Sequence, residues 1–143
     1  MTKDLHRFIV HDLDHALAVL DQGAPSAPGR IVIESPPGTA LRQGIGWFQA
    51  IEVECRQRHP EADCHFLIDC DDAAALALAA LRLGCRHLRV RLEGRILEAV
   101  RDVAAQFGAE LETTPAPALD LGAFSDPRGA IAAQFARTDG TAR

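Results

Sequence analysis

Between Cys64 and Cys85 the chain reads CHFLIDCDDAAALALAALRLGC, and no other stretch narrows the fold as far. His65-Phe66-Leu67-Ile68 has strand length and a continuous apolar run, the pattern of a strand covered on both faces. Asp69-Cys70-Asp71-Asp72 makes a tight acidic turn. Ala73 to Leu81 contains no polar side chain. The spacing predicts a helix capped by Asp71 or Asp72, running through Leu83 and stopped by Gly84. A helix apolar nearly all round must be buried on more than one side. In a chain this small a second copy is one way to cover it, so a homodimer is expected, through this helix or the sheet edge.

The flanking segments repeat the strand-then-helix pattern. Phe8-Ile9-Val10 predicts strand one. After His11-Asp12, residues Leu13, Ala16, Leu17 and Leu20 form one apolar helical stripe that Gly23 ends. Ile31-Val32-Ile33 predicts strand two, stopped by Ser35-Pro36-Pro37-Gly38. The next helix starts between Thr39 and Gly46 and ends near His59-Pro60. Strand four, Leu88–Leu92, alternates: Leu88, Val90 and Leu92 on one face, Arg89 and Arg91 on the other. Helix 95–107 follows, with Gly108 as its stop. Strand five, Glu110-Leu111-Glu112, alternates again. Parallel pairing of these two strands sets Arg89 and Arg91 beside Glu110 and Glu112 on a water-facing side, at ~0.2–1 kcal/mol per pair.

This alternation predicts an α/β fold: a three-layer sandwich on a five-stranded, mainly parallel sheet of flavodoxin-like order 2-1-3-4-5. A half-barrel is the alternative. Residues 1–113 are expected to form a single domain. Residues 114–143 are expected to be an extension, a linker with a weak helix at about 127–136.

Composition removes several function classes. With a net charge of −5, nothing draws the chain toward nucleic acid. No run reaches the ~18–20 apolar residues of a membrane span. The charged start, MTKDLHRFIV, lacks a signal peptide's apolar core, so a cytoplasmic protein is expected. Four cysteines without a C-x-x-C are then expected to be thiols.

In parallel α/β sheets ligands bind at the carboxyl ends of the strands. Asp69 lies at that end of strand three, and with Asp71 it offers carboxylates to a hard cation such as Mg²⁺. Capping and dipole complementarity account for the same acids. His11 and Asp12 follow strand one; His11 is the acid/base candidate and Asp69 its catalytic partner. Ser35, Gly38 and Thr39 belong to a loop whose backbone N–H groups suit an anion, and Arg95 offers a cation. His11 and His15, four apart, and Cys55, His59, Cys64 and Cys85 are weaker metal patterns. No metal site is assigned from them.

The resulting expectation is a ligand- or partner-binding α/β protein without catalysis, taking a small polar or anionic ligand. The alternative is a small enzyme acting on a polar or phosphorylated metabolite at the ends of strands one to three.

Overall fold

The computed structural model describes residues 6–23 and 30–141. The strands are β1 (His6–Ile9), β2 (Ile31–Glu34), β3 (Cys64–Asp69), β4 (His87–Arg89), β5 (Glu110–Glu112) and β6 (Leu119–Asp120). The helices are α1 (Leu13–Gly23), α2 (Thr39–Arg42), α3 (Ile45–Arg58), α4 (Ala74–Arg82), α5 (Gly94–Gln106) and α6 (Pro127–Thr141), with a 3₁₀ turn at Leu121–Ala123. The class is α/β, with one mainly parallel sheet ordered β5-β4-β3-β2-β1-β6. This departs from the flavodoxin-like order. β2, not β1, lies beside β3, and a sixth strand flanks β1. A strand's own residues state its burial and not its neighbour, so two short apolar runs exchange places without changing any local pattern.

Two compact units divide the chain. The first comprises Met1–Ile33, Ile51–His65 and Ala118–Arg143; the second comprises Glu34–Ala50 and Phe66–Pro117.

In the first unit β1 runs parallel to β6, with Phe8 opposite Leu119 and Ile9 opposite Asp120. Helix α1 buries Ala16, Leu17, Ala18, Val19 and Leu20 and packs on α6. Their approach depends on Gly23: a Cβ there would stand 2.5 Å from the Phe135 ring. That ring lies 4.9 Å from His6 and 5.5 Å from Phe8. Leu121 and Ile131 are fully buried. The segment expected to be an extension thus supplies a strand and a helix to the core of this unit.

In the second unit β3, β4 and β5 are parallel neighbours, as the alternating charges indicated. Arg89 is opposite Glu112 and His87 opposite Glu110. The expected water-facing side is instead closed, since Arg89 is only 9% exposed and His87 is buried. Arg91 lies beyond the strand. Its guanidinium donates to Asp71 Oδ1, with Nη2 at 2.9 Å.

Helices α4 and α5 pack together and end alike. At α4 the Cys85 N–H reaches Ala80 O and the Gly84 N–H reaches Leu81 O, with Gly84 at φ 99°. At α5, Ala109 and Gly108 make the equivalent bonds to Ala104 and Ala105. These are the paired bonds of a glycine-terminated helix. The predicted Asp cap of α4 is absent: Ala73 occupies that position without a side-chain bond. Nor is α4 covered all round. Ala77, Ala80 and Leu81 are buried, Ala75 is exposed, and Leu83 beyond the helix is 58% exposed.

Candidate functional site

The sequence-derived candidates separate by unit. Ser35, Gly38, Thr39, Asp69 and Asp71 come together in the second, while His11 and Asp12 belong to the first. Arg95 stands exposed in the first turn of α5.

In the second unit Asp69 fastens a loop. Its Oδ1 accepts the Gly38 N–H at 3.0 Å and the Asp71 N–H at 2.9 Å. The Ser35 hydroxyl accepts the Asp69 N–H at 2.9 Å and donates to the Pro36 carbonyl. The Thr39 hydroxyl donates to the same carbonyl at 2.8 Å. Pro36 and Pro37 have no N–H to offer, Gly38 gives its own to Asp69, and the Thr39 N–H reaches Pro36 O. The donors an anion would need are therefore engaged by the protein. Glycine is required at position 38, where φ is 73°.

Behind this loop lies a buried charge network the sequence showed only in part. Arg89 Nη1 meets Glu34 Oε1 at 3.0 Å and Asp69 Oδ2 at 3.8 Å, and Nη2 meets Glu112 Oε1 at 3.2 Å. His87 Nε2 lies 2.7 Å from the other Glu112 oxygen. Burial opposes charge on Arg89, but the hydrogen bonds and charges of Glu34 and Glu112 outweigh it and hold the guanidinium above its usual value. Glu34 was hidden at the end of an apolar strand. Its partner is 55 residues away, beyond the reach of any local pattern.

Cys70, in the acidic turn, is fully buried. Burial, then Cys85 and Asp69, push its thiol up to about 12. Cys55 is pushed up to about 12 by burial and by Cys64. Neither is a nucleophile near neutral pH. Among the described residues, no group of three or more His, Cys, Asp or Glu side chains is arranged to hold a metal ion. Asp69 and Asp71 instead accept from protein donors.

The first unit carries an open pocket of about 580 Å³ at the carboxyl ends of β1 and β6. Asp12, Asp14, His15 and Ala18 line one side; Asp126, Pro127 and Arg128 line the other. The chain reaches both walls by simple local chemistry. Asp12 Oδ1 accepts the His15 N–H at 2.8 Å at the head of α1. Asp126 Oδ1 accepts the Gly129 N–H at 3.1 Å at the head of α6, with Pro127 in the first helical position. Asp14 makes no hydrogen bond or ion pair among the described residues. Three carboxylates thus face one guanidinium, and that guanidinium also lies 3.6 Å from Asp21.

Beside the pocket, His11 Nε2 lies 2.6 Å from Asp120 Oδ1, which also accepts the Gly122 N–H at 3.0 Å. His11 is 40% exposed. Gly122 makes room for it, since a Cβ at that position would stand 2.6 Å from His11 Nε2. Asp120, Asp126 and Arg128 are not among the sequence-derived site candidates, although a helix is expected from about 127. Ser125-Asp126-Pro127 is the helix-start signal behind that expectation, with Asp before Pro.

No protein-family model matches the chain, and no curated protein matches it in sequence.

Proposed function

We propose that the chain is a ligand-binding α/β protein, not a catalyst, and that its ligand is a small organic amine held between the heads of α1 and α6. The observation that carries this reading is the acidic pocket at the ends of β1 and β6. The chain leaves β1 toward β2 on one side, while β6 lies on the other. Such a reversal opens a crevice at the carboxyl ends of parallel strands, the usual ligand position in open α/β sheets. The pocket size falls within the ~300–1,000 Å³ of small-molecule sites. Its surplus of carboxylates selects a cation, and the engaged donors of the 35–39 loop remove the best alternative for an anion. The free, buried cysteines accord with a reducing, cytoplasmic setting.

Calorimetric titration with putrescine at low salt tests the reading. Asp14→Asn removes a carboxylate that supports no fold contact, and it is expected to weaken binding by up to about fivefold, the upper range for one exposed charge pair. Arg128→Gln is expected to tighten it. Failure of putrescine to bind, or equal binding by Asp14→Asn, overturns the assignment.

His11 favours a second reading, a small enzyme. With Asp120 on Nε2, its Nδ1 is left for proton transfer. Turnover of a bound amine that His11→Asn abolishes, without loss of binding, would select this reading over the first. The outward flank of α4, with Leu83 beside it, is assigned to a second copy of the chain. Light scattering is expected to give twice the chain mass for wild type and one chain mass for Leu83→Glu.

A further inference from the structure

His15 closes a variant of the capping box at the head of α1, its return bond reaching the residue before the cap rather than the cap itself. Asp12 precedes the helix and accepts the His15 N–H at 2.8 Å. In return, His15 Nδ1 accepts the N–H of His11 at 3.0 Å. In the usual box the returning acceptor is Glu or Gln. An imidazole differs in one respect: it accepts only while Nδ1 is unprotonated, which places the proton of the neutral ring on Nε2. The same ring lines the acidic pocket. Its protonation state therefore bears on both the β1–α1 turn and the charge of the pocket.

We propose that His15 is a proton gate on this pocket; the proposal rests on the amine-binding reading and deepens it. Neutral His15 holds the turn and admits a protonated amine. Protonated His15 releases the His11 N–H and repels the amine. In the closing step a solvent proton bonds to Nδ1, the hydrogen bond from His11 breaks, and the ring gains one positive charge. Amine binding reverses the step and returns the proton to solvent.

The groups facing the ring come from every element around it. On its own turn are Asp14 and Asp12, whose Oδ1 lies 4.0 Å from His15 Nδ1. The His11 ring stands edge-on at 5.9 Å, itself paired with Asp120 of β6. Across the pocket are Asp126 and Arg128. Since an incoming amine needs those same carboxylates, amine and proton compete for one field.

Putrescine titrations at about pH 7.5 and 5.5 test the gate, within the range where histidine side chains change charge. Both amines of the probe, like a lysine side chain, stay protonated at these values. Wild type is expected to lose at least fivefold in affinity at pH 5.5, and binding at intermediate pH is expected to release protons, read as a dependence of the heat on buffer ionisation. His15→Gln keeps an acceptor of capping-box type but cannot take the proton, so its affinity is expected to change less than twofold. Equal pH dependence in wild type and His15→Gln overturns the gate. If putrescine binds neither protein at pH 7.5, the amine reading fails and the gate is judged without ligand. Nitrogen-detected NMR must then show His15 Nδ1 unprotonated at pH 7.5, and the His11 amide resonance must shift on acidification in wild type but not in His15→Gln. A protonated Nδ1 at pH 7.5, or an unmoved His11 amide, overturns the gate.

Discussion

Arg89 shows how much one side chain organises here. It stands among Glu34, Asp69 and Glu112, with His87 behind Glu112, and it is almost shielded from water. Replacing such a network whole by apolar groups is often neutral, but removing one partner leaves buried charges uncompensated, at ~3–5 kcal/mol. Arg89→Met is therefore expected to lower stability by about that amount, measured as the shift of the urea midpoint. A loss below ~1 kcal/mol would mean the carboxylates are solvated. Asp69 gives a finer test. Asp69→Asn keeps an oxygen for Gly38 and Asp71, whereas Asp69→Ala strands both N–H groups and is expected to cost ~1–3 kcal/mol more. The buried thiols add a pH dependence. Burial raises Cys55 and Cys70 from 9.0 to about 12, so the unfolded chain loses these protons first. Their contribution is intact below pH 9 and is lost as the pH climbs toward 12. Denaturation midpoints should fall across that window, and a disulfide reagent at pH 8 should find these thiols only after unfolding.

At the scale of elements, the ends of helices were legible in the sequence where glycine set them and illegible where charge did. Gly84 and Gly108 were read as stops, and both adopt positive φ with the expected bonds. Glycine works there because no other residue meets that backbone without strain. Gly84→Ala is accordingly expected to cost about 1 kcal/mol in a urea denaturation curve, with nothing near enough to clash. The acids before α4 were read as caps by the same local logic, and it failed. Asp71 and Asp72 pair with Arg91, about twenty residues on, and Asp71 takes φ 50°. A long-range guanidinium outweighed a cap, and no window of the sequence contains both partners. The alternating Arg and Glu of β4 and β5 did reveal the parallel pairing. They did not reveal burial, because β2 brings Glu34 to the same guanidinium from outside the pattern.

At the scale of the molecule, the α/β class and the parallel pairing of β3, β4 and β5 are legible in the sequence, but the order of the whole sheet is not. β6 is two residues long, shorter than any period, and it follows a Pro-rich run that resembles a linker. Without β6, His11 has no Asp120 beside it in the sequence reading. The physical weight of residues 118–143 can be measured directly. They supply the strand beside β1, the fully buried Leu121 and Ile131, and the Phe135 ring against His6 and Phe8. Burying each large apolar side chain is worth ~1.5–3 kcal/mol, so losing this set approaches the ~5–15 kcal/mol that holds a domain of ordinary stability. A chain ending at Pro117 is expected to lose hydrogen-exchange protection throughout β1 and α1. If the truncated chain is too insoluble to examine, Ile131→Ala in the full chain carries the same argument: it is expected to cost ~2–5 kcal/mol and to weaken protection first in α1 and α6. Protection of β1 and α1 that survives truncation, together with a cost below ~1 kcal/mol for Ile131→Ala, would make the segment an appendage, and the acidic pocket would lose the helix that forms its second wall.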